Sequence, residues 1–325
     1  MPRLRVLHVL NDLSAGGAER LVLELCRRSG VQSTVATVMG LGPLEGAFRA
    51  AGIPLLVGGR RPRAAGVEAM LRIARAAREV DVVHSHLFGG DTWGRVAARW
   101  AGRPVVSTEH NVDRDETWER GVRRALAPLS TVTIAVSEAV ARSAHGRDIR
   151  VIPNGIDLAR FGAPWRGGGG VLAVGRRVPQ KGFDVLADAC RGLPVRVAGG
   201  GGYTAPGIEW LGPRDDVPAL LAAASVLAVP SRWEGFGLAA LEGMAAGVPV
   251  VASRVDGLVE VVGEAGLLVP PGDAGALRGA IDRVLSDRAL AVELSRRGRE
   301  RARRFSIDRM VADYEAVWTE VAGVP

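Results

Sequence analysis

The sequence predicts an α/β protein of two Rossmann-like, doubly wound parallel-sheet domains, and three observations carry that expectation. Short apolar runs alternate with amphipathic helical patterns along the chain, and the alternation starts afresh after Val171. At 325 residues and 47% hydrophobic content, the chain is long enough to bury two cores. A glycine-rich stretch, Ala163-Pro-Trp-Arg-Gly-Gly-Gly-Gly170, separates the two series and reads as a linker, which puts one domain at 1–162 and the other at 171–305.

In the first series, Leu4–Leu10 reads as a buried strand, Ala15-Gly16-Gly17-Ala18-Glu19-Arg20 as a turn and Leu21–Arg28 as a helix. Glycines at such a turn let a phosphate approach the backbone closely. Further strands are expected at Val31–Val38, Val80–Val83, Val105–Thr108, Thr131–Val136 and Val151–Pro153. The second series places strands at Val171–Gly175, Val195–Ala198, Ser225–Val229, Val248–Ala252 and Leu267–Val269. Ser306 is placed to cap a last helix that carries Met310, Tyr314, Val317 and Trp318 on one side. In sheets of this kind ligands bind at the carboxyl ends of the strands, so a cleft between the domains is the expected site.

The segment Pro230 to Pro249 concentrates the chemistry. Glu234 lies in a tight Glu-Gly-Phe-Gly turn, and the run Leu238 to Ala246 is rich in helix formers and stops at Gly247-Val-Pro. A helix therefore starts just after the first carboxylate, and its free amides at Phe236, Gly237 and Leu238 suit a diphosphate. Glu234 and Glu242, eight residues apart, suit the hydroxyls of a sugar and a ribose at its two sides. Upstream, Arg176 and Lys181 flank a loop after the strand at Val171. A planar guanidinium and a compact ammonium together can neutralise two phosphates and stabilise a leaving group. Lys181 is the only lysine among the chain's 42 basic residues, which hints at a particular need at that point. Gln180 and Gly182 on its two sides do not fit a Walker-type phosphate loop.

The stretch Glu234-Gly-Phe-Gly-Leu, Glu242 and then Met-Ala-Ala-Gly-Val-Pro-Val-Val-Ala-Ser closely resembles the signature of the retaining glycosyltransferases of family 4, which have the GT-B fold. Asp81-Val-Val-His-Ser-His86, Ser107-Thr-Glu-His110-Asn111, Ala135-Val-Ser-Glu138 and Val151-Ile-Pro-Asn-Gly-Ile-Asp157 follow in the family's order, so the resemblance spans nearly the whole chain. One departure is Gly243, where the family usually has alanine, a change that should loosen the helix slightly. The resemblance implies a metal-independent transfer of a sugar from a nucleotide diphosphate, most often uridine diphosphate, to an acceptor hydroxyl. It further implies that Glu234 and Gly235 to Leu238 bind the donor, that Glu242 meets the ribose and that Arg176 and Lys181 hold the diphosphate. Gly16 and Gly17 would approach it from the opposite domain, and Arg214 would lie by the base. His110, with His86 and Asn111, would face the acceptor, and His110 would also reach a donor hydroxyl. The last helix, 306–325, would cross back to the first domain.

Net charge is +7, and all of the excess lies in residues 1–162, which hold 23 basic and 16 acidic side chains. That half is expected to receive an anionic acceptor or to touch an anionic membrane surface, through Arg60-Arg61-Pro-Arg63, the helix with Arg72, Arg75 and Arg78, or Trp118 to Arg124. Solvated arginine-rich helices would give the same composition. A small-molecule acceptor and a lipid-linked saccharide both fit; nucleic acid is not an expected partner. No apolar run reaches spanning length and the N-terminus lacks a signal-peptide core, so a cytoplasmic location is expected. Cys26 and Cys190 sit in apolar helical patterns and read as reduced packing residues.

His84, His86 and His110 could converge on zinc, and Asp113-Arg-Asp115 has a bare metal-binding pattern. The second belongs more naturally to a polar loop, and a diphosphate held by two cations and helix amides needs no ion. Two other classes fit less well: a nicotinamide-dependent dehydrogenase, since Gly199-Gly-Gly-Gly202 lacks the spaced fingerprint, and a non-catalytic nucleotide-binding relative, which would have little use for both glutamates and both cations.

Overall fold

The computed structural model describes residues 3–58, 65–112 and 118–323. Arg60 to Arg63 and Asp113 to Asp115 lie outside them. The chain forms two compact units, one of residues 1–154 with 308–325 and one of residues 155–307.

The first unit runs β1 (Arg5–Leu10), α1 (Gly17–Arg28), β2 (Gln32–Thr37), α2 (Glu45–Ala50), β3 (Leu55–Val57), α3 (Ala65–Ala77), β4 (Val82–His86), α4 (Leu87–Ala101), β5 (Val105–Glu109), α5 (Trp118–Leu126), β6 (Val132–Ala135), α6 (Glu138–Ala141) and β7 (Ile149–Val151). Its strands form a parallel seven-stranded sheet in the order β3-β2-β1-β4-β5-β6-β7. The strand order reverses between β1 and β4, where His8 stands opposite His84. Leu7, Val9, Val83 and Val105 lie under α3 and α4 in one core, while Leu10, Val22 and Val35 form another with Phe48 of α2.

The second unit runs β8 (Val171–Val174), α7 (Phe183–Ala189), β9 (Val195–Ala198), β10 (Glu209–Gly212), α8 (Val217–Ala223), β11 (Val226–Val229), α9 (Leu238–Ala246), β12 (Val250–Ser253), α10 (Asp256–Val262), β13 (Leu267–Val269), α11 (Ala274–Ser286) and α12 (Arg288–Ala302). Its parallel sheet has the order β10-β9-β8-β11-β12-β13, which reverses between β8 and β11. Phe183, Leu186, Val197, Val226, Val251 and Ile281 fill its core.

The last helix, α13 (Ile307–Val321), belongs to the first unit. Met310, Tyr314, Val317 and Trp318 are all buried, as the periodicity requires. Polar contacts anchor its outer face: Glu320 forks onto Arg150 at 2.6 and 2.7 Å, and Glu315 accepts from the Gly30 amide.

Two features differ from the sequence reading. Residues 163–170 are packed onto the second unit instead of hanging as a linker. The Trp165 indole donates to the Ala224 carbonyl at 2.7 Å and stacks under Arg288, and the Gly168 amide reaches Ser225 Oγ. A tryptophan in a glycine run brought enough apolar area and one indole donor to dock the segment. The strands β3 and β10 escaped detection because both are edge strands, short and half-exposed, without a buried apolar alternation.

Candidate functional site

In the second unit the candidate residues gather where the strand order reverses, on the loops that follow β8 and β11. The chain leaves β8 at Gly175, passes Arg176 and Arg177, makes a 3-10 turn at Pro179–Lys181 and enters α7 through Gly182. Gly182 has φ +64°, and a Cβ there would run into the Pro230 carbonyl oxygen. This close approach brings the first loop against the second.

Five bonds brace the two loops. The Arg232 amide donates to the Gln180 carbonyl at 2.8 Å, and Gln180 Nε2 donates to the Trp233 carbonyl at 3.0 Å. The Arg232 guanidinium reaches the Pro179 carbonyl and forks onto Asp184, whose carboxyl is held below its usual range by the bond from Arg232. On this frame Lys181 Nζ lies 2.5 Å from Glu234 Oε1, and Ser231 Oγ donates to the same oxygen at 2.7 Å. Glu234 is only 8% exposed. Its Oε2 has no partner among the described residues, so one carboxylate oxygen is held and the other is open to a hydroxyl.

The two neighbouring arginines part company. Arg177 stacks over the Trp210 ring at 5.3 Å, whereas Arg176 is exposed and its guanidinium has no partner among the described residues. After Glu234, Gly235 and Phe236 are buried and Gly237, at φ +101°, caps α9 without any side chain bonding the first amides. Those amides and the helix dipole favour an anion. Glu242 stands half-buried on α9. Arg214 is not drawn into this group: it is exposed and forks onto Asp216 at 2.6 and 2.7 Å.

In the first unit, Gly16 caps α1 in an extended conformation with no side-chain cap, and a Cβ there would collide with Glu19. His110 and Asn111 follow the end of β5, and Asn111 lines a small cavity with Glu109, Arg123, Ser143 and His145. His86, expected to touch an acceptor, does not reach the surface. It is fully buried and both ring nitrogens are engaged, Nε2 with His8 Nδ1 and Nδ1 with His110 Nε2, each at 3.3 Å.

Burial lowers the pKa of all four imidazoles, with His110 pushed down to about 4, His8 to about 3 and His84 and His86 well below their ordinary value. His8, His84 and His86 bring nitrogens within 4.8 Å of one another, so the tightest trio contains His8 in place of His110. Trp318 Nε1 donates to His84 Nδ1 at 3.2 Å, and His84 Nε2 lies 2.8 Å from Thr108 Oγ1. His84 and His86 thus have both ring nitrogens engaged, whereas His8 Nε2 has no partner among the described residues. Sequence reasoning missed His8, Ser231, Gln180, Asp184 and Arg232. A polar residue in the middle of the apolar run Leu4–Leu10 was the one signal for His8; the others show only once the loops meet.

Two family models match the chain, that of Glycosyltransferase Family 4 over residues 15–160 and that of Glycosyl transferases group 1 over residues 168–287. A D-inositol 3-phosphate glycosyltransferase of Salinispora arenicola is 32% identical, with 76% of this chain and 70% of that protein covered. A 2-deoxystreptamine glucosyltransferase of Streptomyces kanamyceticus is also 32% identical, with 68% and 72% covered. Among solved structures, HepE of Anabaena in complex with UDP and glucose superposes with a TM-score of 0.87 over 98% of this chain and 100% of that one, at 21% identity.

Proposed function

This chain belongs to glycosyltransferase family 4 and has the GT-B fold, and from that premise we propose that it moves a sugar from a nucleotide diphosphate sugar to an acceptor hydroxyl with retention of configuration. The observation that carries the reading is the braced pair Lys181–Glu234 beside the uncapped start of α9. Lys181, the exposed Arg176 and the α9 amides supply fixed positive groups for a diphosphate. The open Oε2 of Glu234 accepts from a sugar hydroxyl, and Glu242 accepts from the ribose.

As the bond to the leaving phosphate breaks, charge grows on that phosphate, and Arg176 and Lys181 stabilise it without an ion. No side chain need form a covalent intermediate: the acceptor oxygen attacks on the face the phosphate leaves, and that phosphate takes its proton. UDP is the nucleotide bound in the HepE complex and is the first donor base to try. In the first unit, His110 and Asn111 take the acceptor and Gly16-Gly17 the phosphate side. The two relatives act, by name, on an inositol phosphate and on 2-deoxystreptamine, both ring polyols, which supports a polyol acceptor here, either free or joined to a lipid.

No helix among the described residues is long and apolar enough to cross a membrane. The +7 charge of residues 1–162 supports peripheral contact with an anionic surface from the cytoplasmic side.

A thermal-shift screen of nucleotide sugars tests the donor: a donor at 100 times its Kd adds about 2.7 kcal/mol of stability. Proton NMR of the product then reads the anomer. A screen in which no nucleotide sugar shifts the protein removes the proposal, and binding without transfer to any acceptor reduces it to a nucleotide-binding relative.

A further inference from the structure

The imidazoles of the first unit form a directed chain. His8 is fully buried and its Nε2 has no partner among the described residues, while its Nδ1 faces His86 Nε2. Leaving a buried N–H unpaired is the costlier way to orphan an atom, so the proton of His8 sits on Nδ1 and is donated to His86 Nε2. A neutral ring that accepts at Nε2 carries its own proton on Nδ1. His86 therefore donates to His110 Nε2, and His110 in turn carries its proton on Nδ1, which has no partner among the described residues.

The backbone holds this order in place. Leu87, directly after His86, has φ +59°, a left-handed conformation that a branched residue adopts only under constraint. The constraint is visible: Gly89 and Gly90 press against Asn11 and the Val9 backbone so closely that neither leaves room for a Cβ. His84, bonded to Trp318 and Thr108, closes the side of the chain next to α13.

We propose that His86, backed by His8, is a positioning residue that fixes the tautomer of His110, so that His110 presents Nδ1–H to a substrate oxygen. This rests on the placement of His110 against substrate made above. The buried rings stay unprotonated, so His110 acts as a neutral donor and does not add a positive charge to the site. A hydrogen bond given this way strengthens as charge grows on the oxygen it meets.

Nitrogen-15 NMR of histidine-labelled protein tests the inference without relying on activity. The parent should show His110 protonated at Nδ1 and bare at Nε2. His86→Leu should release that preference and lower kcat about 10-fold with KM little changed, the scale of one lost hydrogen bond. His86→Asn, whose amide can donate where Nδ1 did, should recover most of the loss and the tautomer. A parent His110 protonated at Nε2, or a tautomer unchanged in His86→Leu, overturns the proposal. If His110→Ala leaves transfer intact, the substrate contact of His110 falls and the positioning role with it, while the donor-site assignments stand.

Discussion

Lys181 Nζ and Ser231 Oγ meet on one oxygen of Glu234, Oε1, and leave Oε2 without a partner among the described residues. In the proposed function the pair divides donor recognition between an ammonium for the phosphate and a carboxylate oxygen for the sugar. Lys181→Met should abolish the thermal shift from both UDP and a UDP-sugar, whereas Glu234→Gln should keep the shift from UDP and lose only the added increment of the sugar. Equal losses in the two variants would contradict the division.

Gly182 is where the backbones of the Lys181 loop and the Glu234 loop come into direct contact. Its φ of +64° and the Pro230 carbonyl at its α-carbon leave no room for a side chain. Gly182→Ala should cost about 2 kcal/mol or more in urea unfolding, from the left-handed backbone and the forced separation together. Donor affinity should fall with it. A variant as stable as the parent would mean that the two loops are not tightly apposed.

Much of this was legible in the sequence. Leu238 and Ala246 bound α9 as composition predicted, because Gly237 and Gly247, both left-handed, punctuate it. The doubly wound sheets followed from alternation alone. The imidazole chain and the loop braces were not legible, since His8 and His86, or Asp184 and Arg232, are 78 and 48 residues apart in sequence and meet only through strand order and loop packing. His86 was misread as a surface group for the same reason: its strand carries it inward among His8, His84 and His110, to 0% exposure.

Gly243 was expected to weaken α9, and the structure gives it a reason. A Cβ there would strike Leu227 Cδ2 and crowd Val248 and Val250 at 3.3 and 3.4 Å. Leu227 is fully buried, so it has little room to yield. Gly243→Ala should therefore fail to deliver the roughly 1 kcal/mol of helix propensity it offers and should destabilise instead. Gly243→Ala with Leu227→Val should recover stability above the single variant, as read from thermal midpoints.

The buried imidazoles make stability depend on pH in a definable window. Above about 6.5 folded and unfolded chains both hold these rings neutral; below it the unfolded chain takes up protons that the folded chain refuses down to about 4 at His110 and about 3 at His8. Stability is thus full above 6.5 and is lost as pH falls, by about 1.4 kcal/mol per pH unit for each ring that stays neutral. Paired carboxylates such as Asp81 and Asp184, whose pKa values are lowered by arginine bonds, begin to contribute only in more acid solution. Urea unfolding at pH 7.5, 6.0 and 5.0 should show the fall, and His8→Phe should flatten its slope by about one proton. A flat profile would show that the rings are charged in the folded chain.

Arg95 is the most buried charge described in the first unit, at 1% exposure, and it supports the strand end that presents His110. Its Nε donates to Asp91 Oδ1 at 2.8 Å and to Ser107 Oγ at 3.0 Å, while Nη2 lies 2.8 Å from Asp91 Oδ2 and 3.6 Å from Glu109, the residue before His110. Ser85 Oγ adds a bond to the Asp91 carboxylate at 2.7 Å. Removing the cation leaves Asp91 buried without compensation, and a broken buried pair costs about 3–5 kcal/mol. Arg95→Met should lower the urea midpoint accordingly. Arg95→Met combined with Asp91→Leu removes both charges and should regain most of the loss, while Glu109 keeps Arg123 at 3.3 Å. If the double variant is no more stable than the single one, the loss comes from packing around the arginine stem and not from the orphaned carboxylate.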